Sequence, residues 1–153
     1  MIAEVKLLSF TEVQKTFDEW KLTSAEGNRI KIASLKDAMK QINIDAKSNL
    51  SSMNNEVSGN LSKSLGMIGK ARASTAYVAT GARTSGNNKG NHFHFVNSGT
   101  EKRQTSQGYN RGAVTGSQFY DKAVLSNISS IPARLSEAFD RRFTQFMEKK
   151  YSK

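Results

Sequence analysis

The sequence predicts an α+β fold, in which a small antiparallel or mixed sheet of three to four strands is packed by one long amphipathic helix and by C-terminal helices. Three observations lead to this prediction. Apolar residues with helical spacing begin near residue 32, glycine-rich segments with alternating apolar residues fill the middle of the chain, and phenylalanines with helical spacing follow near the C-terminus. The chain has 153 residues, the length of one domain, and we expect a single domain over residues 1–153.

The N-terminal part is predicted to hold an entry segment and a short helix. Residues 2–9 alternate loosely and form either a short strand or an entry segment. Val13, Phe17 and Trp20 then fall on one face of a short helix, since they are spaced by four and three residues. Residues 26–28 (Glu-Gly-Asn) are typical of a turn and are expected to end this region.

The next segment predicts the longest helix of the chain, from about residue 32 to about residue 57. Polar and charged residues separate its apolar positions, so one face is suited to a core and the other to water. Gly59 is expected to stop the helix. The apolar positions are Ile32, Leu35, Met39, Ile42, Ala46 and Met53.

The middle of the chain predicts the sheet. Apolar alternation places strands at about 63–70, 73–82 and 91–97. The turn-rich residues 84–90 lie between the last two, which favours an antiparallel hairpin with a long loop.

Residues 100–116 are polar, punctuated by glycine and without periodicity. An aperiodic stretch of this length in a small domain is commonly functional or mobile, and we expect a mobile basic loop. Its basic residues Lys102, Arg103 and Arg111 suit contact with phosphate groups without base recognition.

The C-terminal part returns to helix. Residues 119–126 start with Phe-Tyr and predict a helix, and Pro132 marks the start of another. Residues 148–153 are charged and predict a frayed tail. The last helix carries one stripe, formed by Leu135, Phe139, Arg142, Phe143 and Phe146.

Composition restricts the partners and the chemistry. The net charge is +10 and the isoelectric point about 9.9, which favours a polyanionic partner or simply keeps the surface soluble. No cysteine is present, so disulfides and thiolate metal sites are excluded. We expect no membrane span and no signal peptide, and therefore synthesis and folding in the cytoplasm.

No pattern of catalytic residues stands out. His92 and His94 are the only histidines and would share one face of the predicted strand, but a metal site needs further ligands that the nearby sequence does not supply. The chain contains no Gly-x-Ser-x-Gly elbow. We therefore expect no catalysis, no metal, no cofactor and no small-molecule substrate, with a nuclease that uses one of the histidines as the enzyme alternative.

Three motifs follow one another in a fixed order: Gly59–Leu65 (GNLSKSL), His94–Thr100 (HFVNSGT) and Phe119–Ala123 (FYDKA). In this order they resemble the tail-completion or head–tail joining (minor tail, neck) proteins of long-tailed bacteriophages. Members of that family have a long amphipathic helix, a Gly-Leu-x-x-Ser segment that leads into strands, an acid before Gly-Thr, a variable loop, and a helix that starts with Phe. The resemblance covers roughly residues 10–147, with Asn97-Ser98 in place of the acid and Pro132 as the sole proline.

The resemblance implies a structural virion protein of the head–tail interface, the neck. It would form a ring, expected to be a hexamer, that terminates or completes the tail tube and joins it to the head connector or stopper proteins, while double-stranded DNA passes through. Lys102, Arg103 and Arg111 would then contact DNA in the lumen or an adjacent ring, and Gly99, Thr100 and Phe119 would form a structural turn motif. The alternative from charge and composition is a free, sequence-nonspecific nucleic-acid-binding protein.

Overall fold

The structure, a computed structural model, describes residues 23–53, 59–72 and 75–152. The entry segment and the short helix predicted before residue 23 lie outside these residues. The elements of the described residues, in chain order, are α1 (Ser24–Ser51), α2 (Asn60–Ser64), β1 (Leu65–Arg72), β2 (Thr75–Ala82), α3 (Phe93–Ser98), α4 (Phe119–Asn127), a 3₁₀ turn (Ile128–Ser130) and α5 (Ile131–Tyr151).

The α+β class, the long helix and the C-terminal helices are confirmed, but the size of the sheet is not. Within the described residues the sheet has two antiparallel strands, β1 and β2, so the prediction of three to four strands is wrong for this part of the chain. The strand predicted over 91–97 is the helix α3. Its more buried side chains are Phe93, Val96 and Asn97, which have helical spacing, while the alternating His and Phe residues imitate a strand.

The long helix begins earlier than predicted because it has its own cap. The Thr23 backbone N–H donates to Glu26 Oε2 at 2.9 Å, and the Glu26 N–H donates to Thr23 Oγ1 at 3.3 Å, which is a capping box. The turn predicted at residues 26–28 is therefore wrong, and Gly27 is a buried residue of the first helical turn. At the other end α1 stops at Ser51, earlier than predicted.

Gly59 precedes α2 rather than ending α1. It adopts φ 66° and ψ 5°, a left-handed conformation that glycine takes without strain, at the N-terminal cap of α2. The turn-rich residues 84–90 connect β2 to α3 instead of joining two strands, which corrects the predicted hairpin.

The described residues form two compact units, and α1, β1 and β2 contribute to both. The first unit contains the described residues 23–40, 67–79 and 127–152. Its buried apolar residues are Ile30, Leu35, Ala38, Met39, Ile131, Leu135 and Ala138.

In this first unit the hairpin lies against α1. A Cβ at Gly69 would come 2.5 Å from Ile32 Cγ2, so the missing side chain permits close packing of strand and helix. Ile68 and Tyr77 alternate with the inward positions and are 50% and 46% exposed.

The C-terminal helix α5 begins at Ile131, and its proline stands in the first turn as predicted. Its rings at Phe139 and Phe143 stack with centroids 5.9 Å apart. The helix continues through Tyr151, into the segment predicted as a frayed tail. None of the described helices is long and apolar enough to cross a membrane.

Two arginines of α5 hold Asp37 of α1. Arg142 Nε and Arg141 Nη2 each donate to Asp37 Oδ2, at 2.8 and 2.9 Å. The hydrogen bond from Arg142 is the main cause that lowers the pKa of Asp37, while partial burial opposes it and Arg141 adds to the lowering. Because the folded pKa lies below the unfolded one, this contribution to stability is present above the unfolded pKa and is lost as the pH falls through the folded one.

Replacement of Asp37 by asparagine is therefore expected to reduce the free energy of unfolding by about 1 kcal/mol at neutral pH, a modest value since the pair is partly exposed. The difference from the wild type should vanish in acid, below the folded pKa. Urea unfolding followed by circular dichroism at several pH values measures it, with Glu137→Gln as a control at an exposed acid of α5. An unchanged difference in acid would rule out the ionic origin.

The second unit contains the described residues 41–53, 59–66 and 80–126. Its buried apolar residues are Ile42, Ala46, Leu50, Leu61, Leu65, Phe119, Tyr120 and Ala123. Phe93 joins them, with its ring edge-on to Phe119 and Tyr120 at centroid distances of 5.6 and 5.2 Å. The second unit contains all the residues predicted above as candidate contact or turn residues.

Candidate functional site

The basic arm, defined as residues 100–116, is an extended ribbon whose two halves pair with each other. Antiparallel bridges join Gly99 to Thr115 and Gln104 to Asn110. The Thr105 backbone N–H donates to the Tyr109 carbonyl at 2.9 Å near the tip. The absence of sequence periodicity therefore does not mean an absence of backbone pairing, although the predicted mobility of this loop stays a prediction.

The ribbon is irregular in its middle. The Arg111 N–H donates to the Arg103 carbonyl at 2.7 Å, while the Arg103 N–H donates to the Gly112 carbonyl at 3.1 Å. The Arg103 N–H thus bonds one residue past Arg111, although the bridges on either side keep a single register. This shifted bond interrupts the regular ladder of hydrogen bonds in the middle of the ribbon.

The predicted contact residues Lys102, Arg103 and Arg111 are all exposed. Within the described residues their side chains form no ion pair or hydrogen bond, and Glu101, the acid of the arm, is exposed as well. The tip carries Tyr109, which is 67% exposed. The arm thus presents a positively charged and polar surface to its surroundings.

The Gly-Thr turn at the base of the arm depends on close backbone approach. Gly99 has φ 82° and ψ −171°, a combination that is essentially restricted to glycine. A Cβ there would lie 2.5 Å from the Val114 carbonyl oxygen. Thr100 completes the turn, since its N–H donates to that oxygen at 2.9 Å and its Oγ1 accepts from the Val114 N–H at 3.0 Å.

At the other end of the arm, Gly116 also lies close to the backbone of a neighbouring segment. A Cβ at Gly116 would collide with backbone atoms of Ser98 and Asn97. Next in the chain, the Ser117 N–H donates to the Val96 carbonyl at 3.0 Å, and Gln118 takes a positive φ of 55° before α4 starts. The chain therefore enters and leaves the arm through two glycines whose positions allow no side chain.

Asn97 links this base to α4. It is 5% exposed, and its Nδ2 donates to Asp121 Oδ2 at 2.9 Å while its Oδ1 accepts from the Tyr120 N–H at 3.0 Å. The side chain thus supplies one donor and one acceptor, which a carboxylate at this position could not do.

Phe119, the third member of the predicted turn motif, is 1% exposed and anchors the start of α4 in the core. Its carbonyl accepts from Asn49 Nδ2 at 3.0 Å. Burial raises the pKa of the Tyr120 phenol, an effect that a hydrogen bond with Thr80 opposes. Thr80 also donates to Asn43 Oδ1 at 2.8 Å, so the base of the arm continues into a buried polar network.

The two histidines do not share a strand face. His92 occupies the N-terminal cap of α3, and His94 is an exposed helical residue whose ring lies 4.0 Å from that of Phe95. Residues two apart on a helix do not face each other, which removes the geometric basis of the metal alternative. In the part of the chain that the structure describes, no three metal-ligating side chains cluster.

Asn97, Gly116 and Asp121 are the site residues that the sequence analysis missed. Their partners lie about twenty residues away in the chain, and no periodicity connects them. A usable signal was present for Gly116, which is a glycine that follows a long aperiodic segment.

Comparison of the chain with protein-family models, with curated proteins and with solved structures finds no match. The function of the basic arm is therefore argued from its geometry, its charge and the ordered sequence motifs.

Proposed function

We propose that the protein is a structural component of the neck of a long-tailed phage. In this role six copies close into a ring that terminates the tail tube and joins it to the head connector or stopper proteins, and double-stranded DNA passes through the ring. The ordered motifs support the proposal, since the Gly-Thr turn and the helix start at Phe119 belong to one hydrogen-bonded base, in which Phe119 is buried. The role requires no catalytic residue and no cofactor.

The observation that carries the proposal is the exposed basic arm on this base. Lys102, Arg103 and Arg111 form no side-chain hydrogen bond or ion pair within the described residues, yet the base that holds the arm excludes any side chain at Gly99 and Gly116. A rigidly based extension with unpaired charges is suited to reach a neighbouring molecule. Rings close through head-to-tail contacts between different surfaces, and an extension of this kind can supply one of them.

Shortening the arm is the direct test. Replacement of residues 102–112 by a two-residue Asn-Gly turn should leave the Gly99 base and the core intact, since the removed residues lie outside both. We expect a folded protein with an unchanged circular dichroism spectrum that fails to restore infectious particles to a phage lacking the gene. Electron microscopy should then reveal heads and tails that are not joined.

The matched control removes charge elsewhere. Lys47, Lys63 and Lys122 are exposed lysines outside the arm, and their replacement by glutamine removes as many charges as the arm loses through its two arginines and one lysine. This control variant should complete particles. Normal particle yield from the arm-shortened variant would exclude the arm from the assembly role.

Tyr109 favours a second candidate, a free nucleic-acid-binding protein without sequence preference. An exposed aromatic ring beside arginines can stack on unpaired bases. Such a protein would bind single strands with micromolar or tighter affinity at physiological salt, and its affinity would fall steeply as salt rises. Absence of the chain from purified virions, together with that affinity, would select this candidate.

A further inference from the structure

Arg103 and Arg111 lie opposite each other across the basic arm. Their backbones share the 2.7 Å hydrogen bond from the Arg111 N–H to the Arg103 carbonyl. Residues paired in this way have Cβ atoms about 5 Å apart, so the two guanidinium groups can reach one and the same object.

No ion pair within the described residues stabilises the placement of Arg103 opposite Arg111. Like charges directly opposite each other destabilise a ribbon, and neither arginine is paired with an acid in the described residues. An anion between the two would replace repulsion by attraction. Guanidinium groups bind phosphate oxygens through two parallel hydrogen bonds, which makes phosphate a matching ligand.

The surroundings leave room for a bulky anion. Gly112 follows Arg111 and Gly108 lies in the tip, with φ of 70° and 81°, and a Cβ at either position would meet no atom within 4 Å. The ribbon is therefore narrow and unobstructed near the arginines, as close approach to a phosphate backbone requires.

The polarity of the arm distinguishes nucleic acid from protein as the partner. Protein–protein contacts have apolar centres from which charged residues are depleted, whereas contacts with nucleic acid are polar and positively charged. The exposed apolar side chains of the arm are Tyr109, Val114 and the small Ala113, and its other exposed residues are polar, charged or glycine. This composition favours phosphodiester over an acidic protein surface.

We propose that the Arg103–Arg111 pair is a phosphodiester-binding site for the backbone of double-stranded DNA. The choice of duplex DNA rests on the proposed function, in which the genome passes the arm. Each strand of a duplex carries one phosphate per roughly 3.4 Å of axis, so two adjacent arginines can bind neighbouring phosphates without contacting a base. Binding of this kind is weak and independent of sequence, which lets DNA move past.

The test measures binding of the purified full-length chain to a labelled mixed-sequence duplex by fluorescence anisotropy over a range of salt concentrations. The variant is Arg103→Gln/Arg111→Gln, and the matched control is Lys47→Gln/Lys122→Gln, which removes the same charge from exposed positions of the same unit. We expect the arginine variant to bind about ten-fold more weakly and its log–log salt slope to fall by about two, with the control close to wild type.

Two further measurements identify the ligand. At equal ionic strength, inorganic phosphate should displace the duplex no better than chloride does. Displacement that is specific to phosphate would make the pair a site for free anions. Arg103→Lys/Arg111→Lys keeps the charge and should bind more weakly than wild type, because the paired hydrogen bonds are lost. If Arg103→Gln/Arg111→Gln and the control Lys47→Gln/Lys122→Gln lose affinity equally, binding depends only on net charge. That result would overturn the proposal.

Native mass spectrometry of the same preparations separates this site from the neck role. Rings that form in a wild type without measurable duplex binding would overturn the site and leave the neck role standing. If duplex binding depends on the arginines but the chain never forms rings and is absent from virions, the neck role is overturned and the binding site stands. If the arginine variant binds duplex normally but fails to join heads to tails, the partner of the pair is a protein.

Discussion

Replacement of Gly99 by alanine is expected to lower the free energy of unfolding by about 3 kcal/mol. Two causes add. The backbone at φ 82° and ψ −171° is unfavourable for any residue with a side chain, and the new methyl group would lie 2.5 Å from the Val114 carbonyl oxygen. Because the obstructing atom belongs to the backbone, the two halves of the arm base must separate to make room.

Gly108→Ala is the matched control for this prediction. Gly108 also has a positive φ, 81°, but a Cβ there meets nothing within 4 Å. The control should therefore cost about 1 kcal/mol, the conformational part alone. Urea unfolding followed by circular dichroism compares the two variants, and equal small losses would mean that the base of the arm is not tightly packed.

Replacement of Asn97 by aspartate is expected to cost about 3 kcal/mol at neutral pH. Asn97 is 5% exposed and its Nδ2 lies 2.9 Å from Asp121 Oδ2, so the substitution sets two carboxylates against each other in a buried site. The repulsion raises the pKa of the new carboxyl in the folded variant. A raised folded pKa means that stability is retained at low pH and lost as the pH rises, so the deficit should be smallest in acid.

The exchange of both groups provides the control. In the double variant Asn97→Asp/Asp121→Asn the donor and the acceptor trade places, and the acceptor for the Tyr120 N–H is kept. We expect the double variant to recover most of the lost stability, which a double-mutant cycle of unfolding free energies measures. A double variant as unstable as the sum of its single variants would show that the two side chains are not coupled.

Much of the helical structure follows from the sequence alone. The spacing of Leu35, Met39 and Ile42 predicts a helix with these residues inside, and all three are buried in the structure. Pro132 predicts the start of the last helix, which begins one residue earlier. These predictions succeed because an amphipathic helix repeats its pattern over several turns within one continuous segment.

The same reasoning fails where short patterns compete. The alternation of His and Phe at residues 92–95 contributes to the prediction of a strand over 91–97, yet packing of Phe93 on Phe119 and Tyr120 selects a helix. The Thr-x-x-Glu signal at Thr23 was present in the sequence and outweighs the glycine at residue 27. A pattern shorter than two helical turns does not distinguish helix from strand, and distant packing decides between them.

The sequence by itself determined the helical stripes, the basic charge of residues 100–116 and the glycine–threonine turn that precedes them. Only the tertiary structure decided that the loop is a paired ribbon, that Arg103 meets Arg111, and that Asn97 holds α4 through Asp121. The physical reason is that helical periodicity reflects burial within one segment, whereas cross-ribbon pairs and buried hydrogen bonds join residues that the chain separates.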